Sequence, residues 1–377
     1  MFINNYQLIG ELNNANSGFS KWGFAVRNHR EYFIKELLQP VYPMDPSVMP
    51  EDMFYAKRAR CDEYEQRSVQ LYSRINAAST GNLVRILEFF RSDSKYYLIT
   101  EKVEGPILNV QQIAMLPVQD KYMSMISAAY AFMCLHNAGV VHFDVKPANI
   151  LIKRTKYGRF TAKLIDFDSG FILGESREDF ELGGDLTYLA PETFLAIAGE
   201  ESELDEKVDI FALGLVFHEF FAGTLPTFDT EEYEYPYEAA LDKGVLMPDY
   251  SRVPRGVGEL IQRMLDVDSE KRPSALEVVN ALAALSGARP DLDSQQQNAP
   301  NYMTTHHIPQ PQQPPQTMAN GSRLRTTFRT SASTTRLDTT PVSEPVPVPT
   351  ATPTEVHVEA EKPAAEAGKW FSSAGDL

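Results

Sequence analysis

HFDVKPANILI, from His142 to Ile152, is the stretch of sequence that decides most about the fold. Polar residues stand before an apolar run here, which predicts a loop that leads into a strand. In this loop the Asp144 carboxylate is able to accept a hydroxyl proton, and the Lys146 ammonium is able to neutralise a transferring phosphoryl group. Asn149 offers an amide oxygen, a ligand that hard divalent cations accept. The stretch therefore predicts phosphoryl-transfer chemistry.

A second polar motif, LIDFDSG, lies a short distance along the chain. Its Asp166 comes 14 residues after Ile152 and directly follows a predicted strand at 162–165. Magnesium is typically held by one or two protein oxygen ligands together with substrate phosphates. Asp166 is therefore a candidate for a second metal ligand beside Asn149.

These motifs and their neighbours resemble the eukaryotic-type protein kinase family. The stretch 142–152 is similar to the catalytic loop, residues 166–168 to the metal-binding Asp-Phe-Gly motif, and residues 190–192 to the Ala-Pro-Glu that closes the activation segment. The helix from Val208 resembles the buried helix that supports the catalytic loop. The resemblance covers about residues 6–285 and implies a bilobal kinase fold.

The resemblance also implies structural residues and an acceptor class. Asp209 matches the acid that supports the loop, and Arg272 matches the arginine that pairs with the activation-segment acid, here Glu192. Lys146 and Pro147 resemble the serine/threonine form of the loop. The implied function is a serine/threonine protein kinase that transfers the ATP γ-phosphoryl group to protein hydroxyls and phosphorylates itself.

The roles that follow from the resemblance are shared between the two lobes. Asp144 would accept the substrate proton, Lys146 and Lys35 would hold phosphates, and Asn149 with Asp166 would bind Mg²⁺. Lys35 stands in Phe33-Ile34-Lys35, which matches the strand whose lysine grips the α- and β-phosphates.

The adenine site and the phosphate loop are assigned in the same way. Thr100 would guard the back pocket, Glu101 and Val103 would form the hinge that binds adenine, and Leu151 would form its floor. The family's loop aromatic aligns with Phe19. Three positions that usually hold glycine are then Ala15, Ser17 and Ser20, with Gly18 and Gly23 nearby. Ala15, Ser17 and Gly18 are the loop residues expected to lie over the phosphates.

The chain departs from the family pattern at several positions. Phe33 replaces a small residue and is expected to crowd adenine unless its ring rotates away. An insertion before the small-lobe helix leaves three candidates for the partner of Lys35: Glu65, which we expect to fill this place, then Glu63, and by strict spacing Ser68.

Two acidic residues and one missing arginine also depart from the pattern. Asp168 replaces the glycine after Phe167, and Asp185 stands where a threonine usually contacts the catalytic Asp and Lys. His142-Phe143-Asp144 lacks the arginine that meets a phosphorylated activation loop, so activation by loop phosphorylation is not expected.

Periodicity places the secondary structure around these motifs. Strands are predicted at 6–12, 22–27, 31–36, 83–90 and 96–101, and helices at 50–75, 118–137, 208–222, 257–265 and 275–285. The predicted fold is α+β: a small antiparallel β lobe with one main helix (about 1–103) and a larger, mainly helical lobe (about 104–285). Together they form a kinase domain at 1–285.

Composition bounds the remaining questions. Residues 286–377 are rich in Pro, Ser, Thr and Gln, which predicts a disordered tail. Its arginine-threonine stretch at 323–336 is a candidate phosphorylation region that would bind phosphopeptide-reading partners. A net charge of -16 argues against nucleic-acid binding. Two cysteines, no leader pattern and no long apolar run favour a cytoplasmic protein without a membrane span.

Two other functions remain open at this point. A pseudokinase scaffold would bind nucleotide or partners without phosphoryl transfer, and the altered loop, Phe33 and Asp168 favour it. A small-molecule kinase on the same fold is disfavoured by the 190–192 motif and the Asp209 helix, which build a peptide-docking lobe.

Overall fold

A computed structural model describes residues 1–14, 20–174, 185–200, 202–242 and 246–287 of the 377-residue chain. The strands are β1 (Phe2–Ile3), β2 (Tyr6–Asn13), β3 (Ser20–Arg27), β4 (Arg30–Leu37), β5 (Ile86–Ser92), β6 (Lys95–Glu101), β7 (Ile107–Leu108), β8 (Val140–Val141), β9 (Ile150–Arg154), β10 (Phe160–Leu164) and β11 (Phe171–Ile172). The helices are α1 (Glu51–Ala78), α2 (Val110–Ala114), α3 (Val118–Asn137), α4 (Pro191–Ile197), α5 (Lys207–Ala222), α6 (Pro236–Leu241), α7 (Arg255–Met264) and α8 (Ala275–Ser286).

The small lobe is built on an antiparallel sheet in the order β1-β2-β3-β4-β6-β5. Side chains alternate between its two faces, and one face buries a cluster formed by Ile3, Tyr6, Ala25, Ile34, Tyr97 and Ile99. The main helix of the lobe, α1, contacts the sheet through aromatic pairs. Tyr64 and Tyr72 each meet Phe89 on β5, with ring centroids 6.0 and 5.4 Å apart.

The large lobe surrounds α5, which is apolar on nearly every side. Phe211, Phe217 and Phe220 on this helix are fully buried. A helix that is hydrophobic all round belongs in the centre of a protein. Gly214 allows a close approach, since a Cβ there would lie only 3.0 Å from Leu265 Cδ2. Helix α5 is therefore a rigid support for the segments that its polar residues contact.

The architecture confirms the predicted two-lobed α+β fold. The helix predicted at 118–137 is α3 with the same bounds, and the one predicted at 50–75 is α1, which begins one residue later and ends three later. The strand predicted at 83–90 begins only at Ile86, because Leu83 forms an isolated bridge with Leu164 of β10 instead. The domain boundaries remain predictions, and the predicted disordered tail lies outside the described residues.

Candidate active site

Asp209 on α5 fixes the start of the loop that carries the polar motif. It is 1% exposed, and its carboxylate accepts the backbone N–H groups of His142 and Phe143, both at 2.8 Å. The same carboxylate contacts Nε2 of His136 at 2.9 Å. Phe143 has a φ of 67°, in the left-handed region that non-glycine residues rarely adopt. The buried carboxylate thus satisfies two N–H groups at a strained turn, which confirms the structural role predicted for Asp209.

Asp144 follows this turn and is held from two directions. Nζ of Lys146 lies 3.1 Å from its Oδ1 and 2.9 Å from its Oδ2. Nδ2 of Asn149 donates to the Asp144 Oδ2 and to its backbone oxygen, both at 2.8 Å. The Asp144 side chain remains 14% exposed. It is therefore oriented by neighbours yet open to a reactant, which suits a carboxylate that accepts a hydroxyl proton.

Asn149 and Asp166 come together through the backbone. The Ile165 N–H donates to the Asn149 carbonyl at 3.0 Å, directly before Asp166. Because the Asn149 Nδ2 is used by Asp144, its Oδ1 is the amide atom suited to a cation. An amide oxygen and a carboxylate are ligands that Mg²⁺ prefers, with the remaining ligands supplied by phosphates and water. The residues fit a magnesium site.

Lys35 reaches this site from the small lobe. It lies on β4, is 7% exposed, and its Nζ is 2.7 Å from the Asp166 Oδ1 and 2.7 Å from the Asp168 Oδ2. Burial alone would lower the pKa of Lys35, but the charges of Asp168 and Asp166 raise it above the usual value. The lysine is therefore a cation under all physiological conditions.

The pKa values of Asp166 and Asp168 are shifted in opposite directions. Burial favours the neutral form of both, but the Lys35 charge and hydrogen bond outweigh it at Asp166 and hold that pKa below its usual value. At Asp168 burial and the nearby Asp166 charge outweigh the opposing effect of Lys35, so the pKa is raised.

Glu65 does not contact Lys35, contrary to our expectation. Its Oε1 accepts a hydrogen bond from Nε of Arg91 at 3.1 Å, and Glu63 is exposed. Consecutive residues on an α-helix point about 100° apart. The side of α1 that faces Lys35 carries Tyr64. Burial and the Asp168 charge raise the pKa of Tyr64, and a hydrogen bond with Ser68 opposes this shift. Helix geometry thus turns Glu65 toward the sheet edge.

Three aromatic rings occupy the cleft side of the sheet beside Lys35. Trp22 on β3 lies opposite Lys35, and Phe24 lies opposite Phe33. Opposite residues of an antiparallel pair share a face. Phe33 stacks on Trp22 and meets Phe24 edge-on, with both centroid distances 5.9 Å. Each ring is only partly buried, so the upper wall of the cleft is more aromatic than the sequence analysis anticipated.

The other residues predicted to bind adenine lie along the join between the lobes. Glu101 ends β6, and its backbone N–H donates to the Arg85 carbonyl at 3.0 Å. Its side chain forms an ion pair with Lys163. Val103 packs against the main core, and Leu151 on β9 is 6% exposed. The predicted phosphate-loop residues Ala15, Ser17 and Gly18 lie outside the described residues.

A small open pocket lies beside Asp144. Its lining includes Phe143, Asp185, Tyr188 and Thr193. Asp185 accepts the Thr187 N–H at 3.1 Å and so caps the short 3-10 helix Leu186–Tyr188. Asp185 therefore adds a second carboxylate, besides Asp144, to the lining of this pocket.

Two further contacts stabilise the segment that contains Tyr188 and Glu192, beside this pocket. Arg272 forms a bidentate pair with Glu192, with N···O distances of 2.6 and 2.8 Å, which confirms the predicted partnership. Tyr188 donates to Glu219 on α5 at 2.7 Å. Burial raises the pKa of Glu219 to about 7, although the Tyr188 hydrogen bond opposes the shift.

Sequence reasoning missed two of these features. From the sequence, Asp168 is identified only as a replacement for a glycine, whereas the structure places its carboxylate on Lys35. Its acidic character two positions after Asp166 was the available signal. Glu219, within an apolar helix pattern, was not singled out. Among the described residues, no helix is both long and apolar enough to cross a membrane.

Comparison with known proteins gives a family match and several relatives. The model described as "Protein kinase domain" matches residues 55–282. The chain is 28% identical to the human serine/threonine-protein kinase DCLK3 over 210 residues, 54% of this chain and 31% of that protein. It is 27% identical to an Aurora kinase of Eremothecium gossypii over 219 residues, 56% of this chain and 54% of that one.

A third relative is the ovarian-specific serine/threonine-protein kinase Lok of Drosophila melanogaster. It is 30% identical over 195 residues, 51% of this chain and 40% of that protein. The matched segments therefore span about a third to a half of the length of these relatives.

Proposed function

The chain belongs to the eukaryotic-type protein kinase family, and we propose that it transfers the γ-phosphoryl group of ATP to serine and threonine hydroxyls of proteins. The observation that carries this proposal is the constellation around Asp144, whose carboxylate is held between Lys146 and Asn149. Two of the reported relatives are named serine/threonine-protein kinases, which supports the acceptor class. The Lys146-Pro147 pair supports it independently.

In the proposed reaction the acceptor oxygen attacks the γ-phosphorus. Its proton passes to the Asp144 carboxylate, while the bond from the γ-phosphorus to the bridging oxygen breaks and ADP leaves. Lys146, 2.9 Å from the Asp144 carboxylate, is placed to neutralise charge on the transferring group. Catalysis is then mainly positioning and electrostatic stabilisation, with no covalent intermediate on the protein.

Lys35, Asn149 and Asp166 would bind the nucleotide and its metal. Mg²⁺, when bound, supplies positive charge that offsets the phosphate oxygens. Asn149 and Asp166 would hold it through their oxygen atoms, and Lys35 would contact the phosphates. Glu101, Val103 and Leu151 would enclose the adenine, together with Ala15, Ser17 and Gly18 over the phosphates.

A nucleotide-binding scaffold is the second candidate. The observation that favours it is the crowded upper wall of the cleft, where Phe33 stacks on Trp22. A small-molecule kinase has less support, because the Glu192–Arg272 pair stabilises the segment that would dock a peptide. We therefore place protein phosphorylation first.

The acceptor class is tested with the full chain, radiolabelled Mg-ATP and a mixture of acidic and basic proteins, followed by phosphoamino-acid analysis. The proposal predicts label on phosphoserine and phosphothreonine in the added proteins and in the chain itself. Label on phosphotyrosine would overturn the acceptor class. No label, with Mg-ATP still raising the melting temperature, would favour the scaffold.

We further propose a kinase domain at 1–285 and a regulatory tail at 286–377 in a cytoplasmic protein. The tail's arginine-threonine stretch at 323–336 would be phosphorylated by the chain itself and would recruit phosphopeptide-binding partners. Mass spectrometry after incubation with Mg-ATP tests this. Phosphate in 323–340 supports the proposal, and its absence there while other sites are labelled contradicts it.

A further inference from the structure

Lys35 receives both of its carboxylate partners from one short segment of the large lobe. Asp166 and Asp168 stand two residues apart and each lies 2.7 Å from the Lys35 Nζ. The lysine side chain is 9% exposed. A buried ammonium is costly unless it is paired, so these two contacts determine where the lysine sits.

The segment that carries the two carboxylates is itself firmly held. Phe167 between them is 1% exposed and packs against His142, with ring centroids 4.9 Å apart. The Gly170 N–H donates to the Phe167 carbonyl at 3.0 Å. A Cβ at Gly170 would lie 3.0 Å from the Phe167 oxygen and 3.1 Å from the Val141 oxygen, so the close packing of this turn requires glycine. The Asp168 carboxylate is therefore presented by the framework of the large lobe.

Helix α1 gives Lys35 no carboxylate in this structure. Glu65 meets Arg91, and the neighbouring Tyr64 lies near the Lys35–Asp168 pair. Of the two residues that do meet Lys35, Asp166 is also the proposed metal ligand. The Asp168 carboxylate is the partner that has no other proposed task.

We propose that Asp168 is a positioning residue that holds Lys35 in place for nucleotide phosphates, in the role that the family resemblance gives to a glutamate of α1. This inference rests on the proposed function. It follows that the position of Lys35 depends on the 166–170 turn and not on the placement of α1.

The ion pair is tested first without nucleotide, by a double-mutant cycle on the full chain. Asp168→Asn, Lys35→Met and the double variant are compared by urea unfolding. The effect of Asp168→Asn on the unfolding equilibrium constant is measured in the wild type and in the Lys35→Met background. We expect these two effects to differ by a factor of about ten, a typical coupling for groups in contact. Additive effects would overturn the inference.

The positioning role is tested by Mg-ATP affinity and steady-state kinetics. Asp168→Asn is expected to weaken Mg-ATP binding about tenfold and to raise the KM for ATP while the KM for the protein acceptor stays unchanged. Asp168→Glu, which keeps the carboxylate, should recover part of the loss. The exposed Asp62→Asn is the matched control and should bind as the wild type does.

The rival partner is tested by Glu65→Gln. We expect less than a twofold change in Mg-ATP affinity, because Glu65 lies on Arg91. If Glu65→Gln weakens Mg-ATP binding and Asp168→Asn does not, the inference is overturned. If the double-mutant cycle shows the coupling but the wild type binds no Mg-ATP, the proposed function is refuted and the Lys35–Asp168 pair is only a structural contact. Normal binding without coupling would refute the inference alone.

Discussion

Asp144 and Lys35 face the same cleft, but the two lobes hold them in different ways. Asp144 stands on a loop fixed by the buried Asp209 and follows the family pattern closely. Lys35 stands under an aromatic wall and pairs with Asp168, where the family has glycine. The family match covers residues 55–282, so Lys35 lies outside it. The large-lobe half of the site is thus fixed by a buried carboxylate, whereas the small-lobe half depends on an ion pair with Asp168.

The largest expected effect on stability comes from the large-lobe framework. Arg272→Ala would leave Glu192 buried without its bidentate partner and would lower the free energy of unfolding by about 3–5 kcal/mol. The control is Arg255→Ala, since the Arg255–Glu259 pair is exposed and should contribute under about 1 kcal/mol. Urea unfolding measures both. Equal losses would show that the Arg272–Glu192 pair stabilises the fold no more than an exposed ion pair does.

Glu219 gives the next effect, a dependence of stability on pH. Its pKa is about 7 in the folded chain against an ordinary 4.5. The folded state thus holds the proton more tightly, and the stabilisation present below pH 4.5 is lost as the pH rises through 7. At about 1.4 kcal/mol per pKa unit, the loss is at most about 3.5 kcal/mol.

The measurement is urea unfolding of the wild type and Glu219→Gln at pH 5 and pH 8. We expect the wild type to lose more stability than the variant over this interval, because glutamine does not titrate. Parallel losses in the two proteins would show that Glu219 has no shifted pKa and that its carboxyl group is better solvated than the structure indicates.

Phe33→Ala examines the small-lobe side of the comparison. Loss of its contacts with Trp22 and Phe24 should cost about 1–2 kcal/mol of stability, because the ring is only partly buried. Removing the ring should also widen the cleft and tighten Mg-ATP binding severalfold. Tyr32→Ala, on the opposite face of β4, should lose stability without changing the affinity. Weaker nucleotide binding by Phe33→Ala would instead mean that adenine stacks on the ring.

Glu65→Gln should have the smallest effect. The Glu65–Arg91 pair is about one-third exposed on both sides, so its loss should cost under about 1 kcal/mol. Arg91 also retains its position 3.8 Å from the Tyr42 ring centroid. Thermal unfolding measures the change. A loss above about 2 kcal/mol would place Glu65 in a buried ion pair and restore it as the candidate partner of Lys35.

The sequence predicted the helices of the large lobe and the structural contacts of Asp209 and Arg272 well, for a physical reason. Short motifs such as those around His142 and Arg272 have fixed spacing, because each one forms hydrogen bonds or an ion pair with a buried carboxylate. Long periodic helices such as α3 also leave a strong pattern. The arrangement of Asp144, Lys146 and Asn149 required no information beyond a loop of fixed length.

The partner of Lys35 was harder to predict. The insertion at 40–50 removes the fixed spacing between β4 and α1, and one residue of uncertainty turns a helical side chain by about 100°. The reach of Asp168 depends on the local turn, in which Asp166 has a φ of 64°. Neither the direction of a side chain around α1 nor the φ of Asp166 can be predicted from composition or periodicity.

The central claim is that Asp144 makes this site catalytic, and one measurement tests it most directly: single-turnover phosphoryl transfer from radiolabelled Mg-ATP by the full chain, its Asp144→Asn variant and the exposed Asp62→Asn control. We predict transfer by the wild type and the control, and a rate about 10²–10⁴-fold lower for Asp144→Asn with Mg-ATP affinity nearly unchanged. Equal rates for Asp144→Asn and the wild type, or no transfer by a wild-type chain that binds Mg-ATP, would contradict the account.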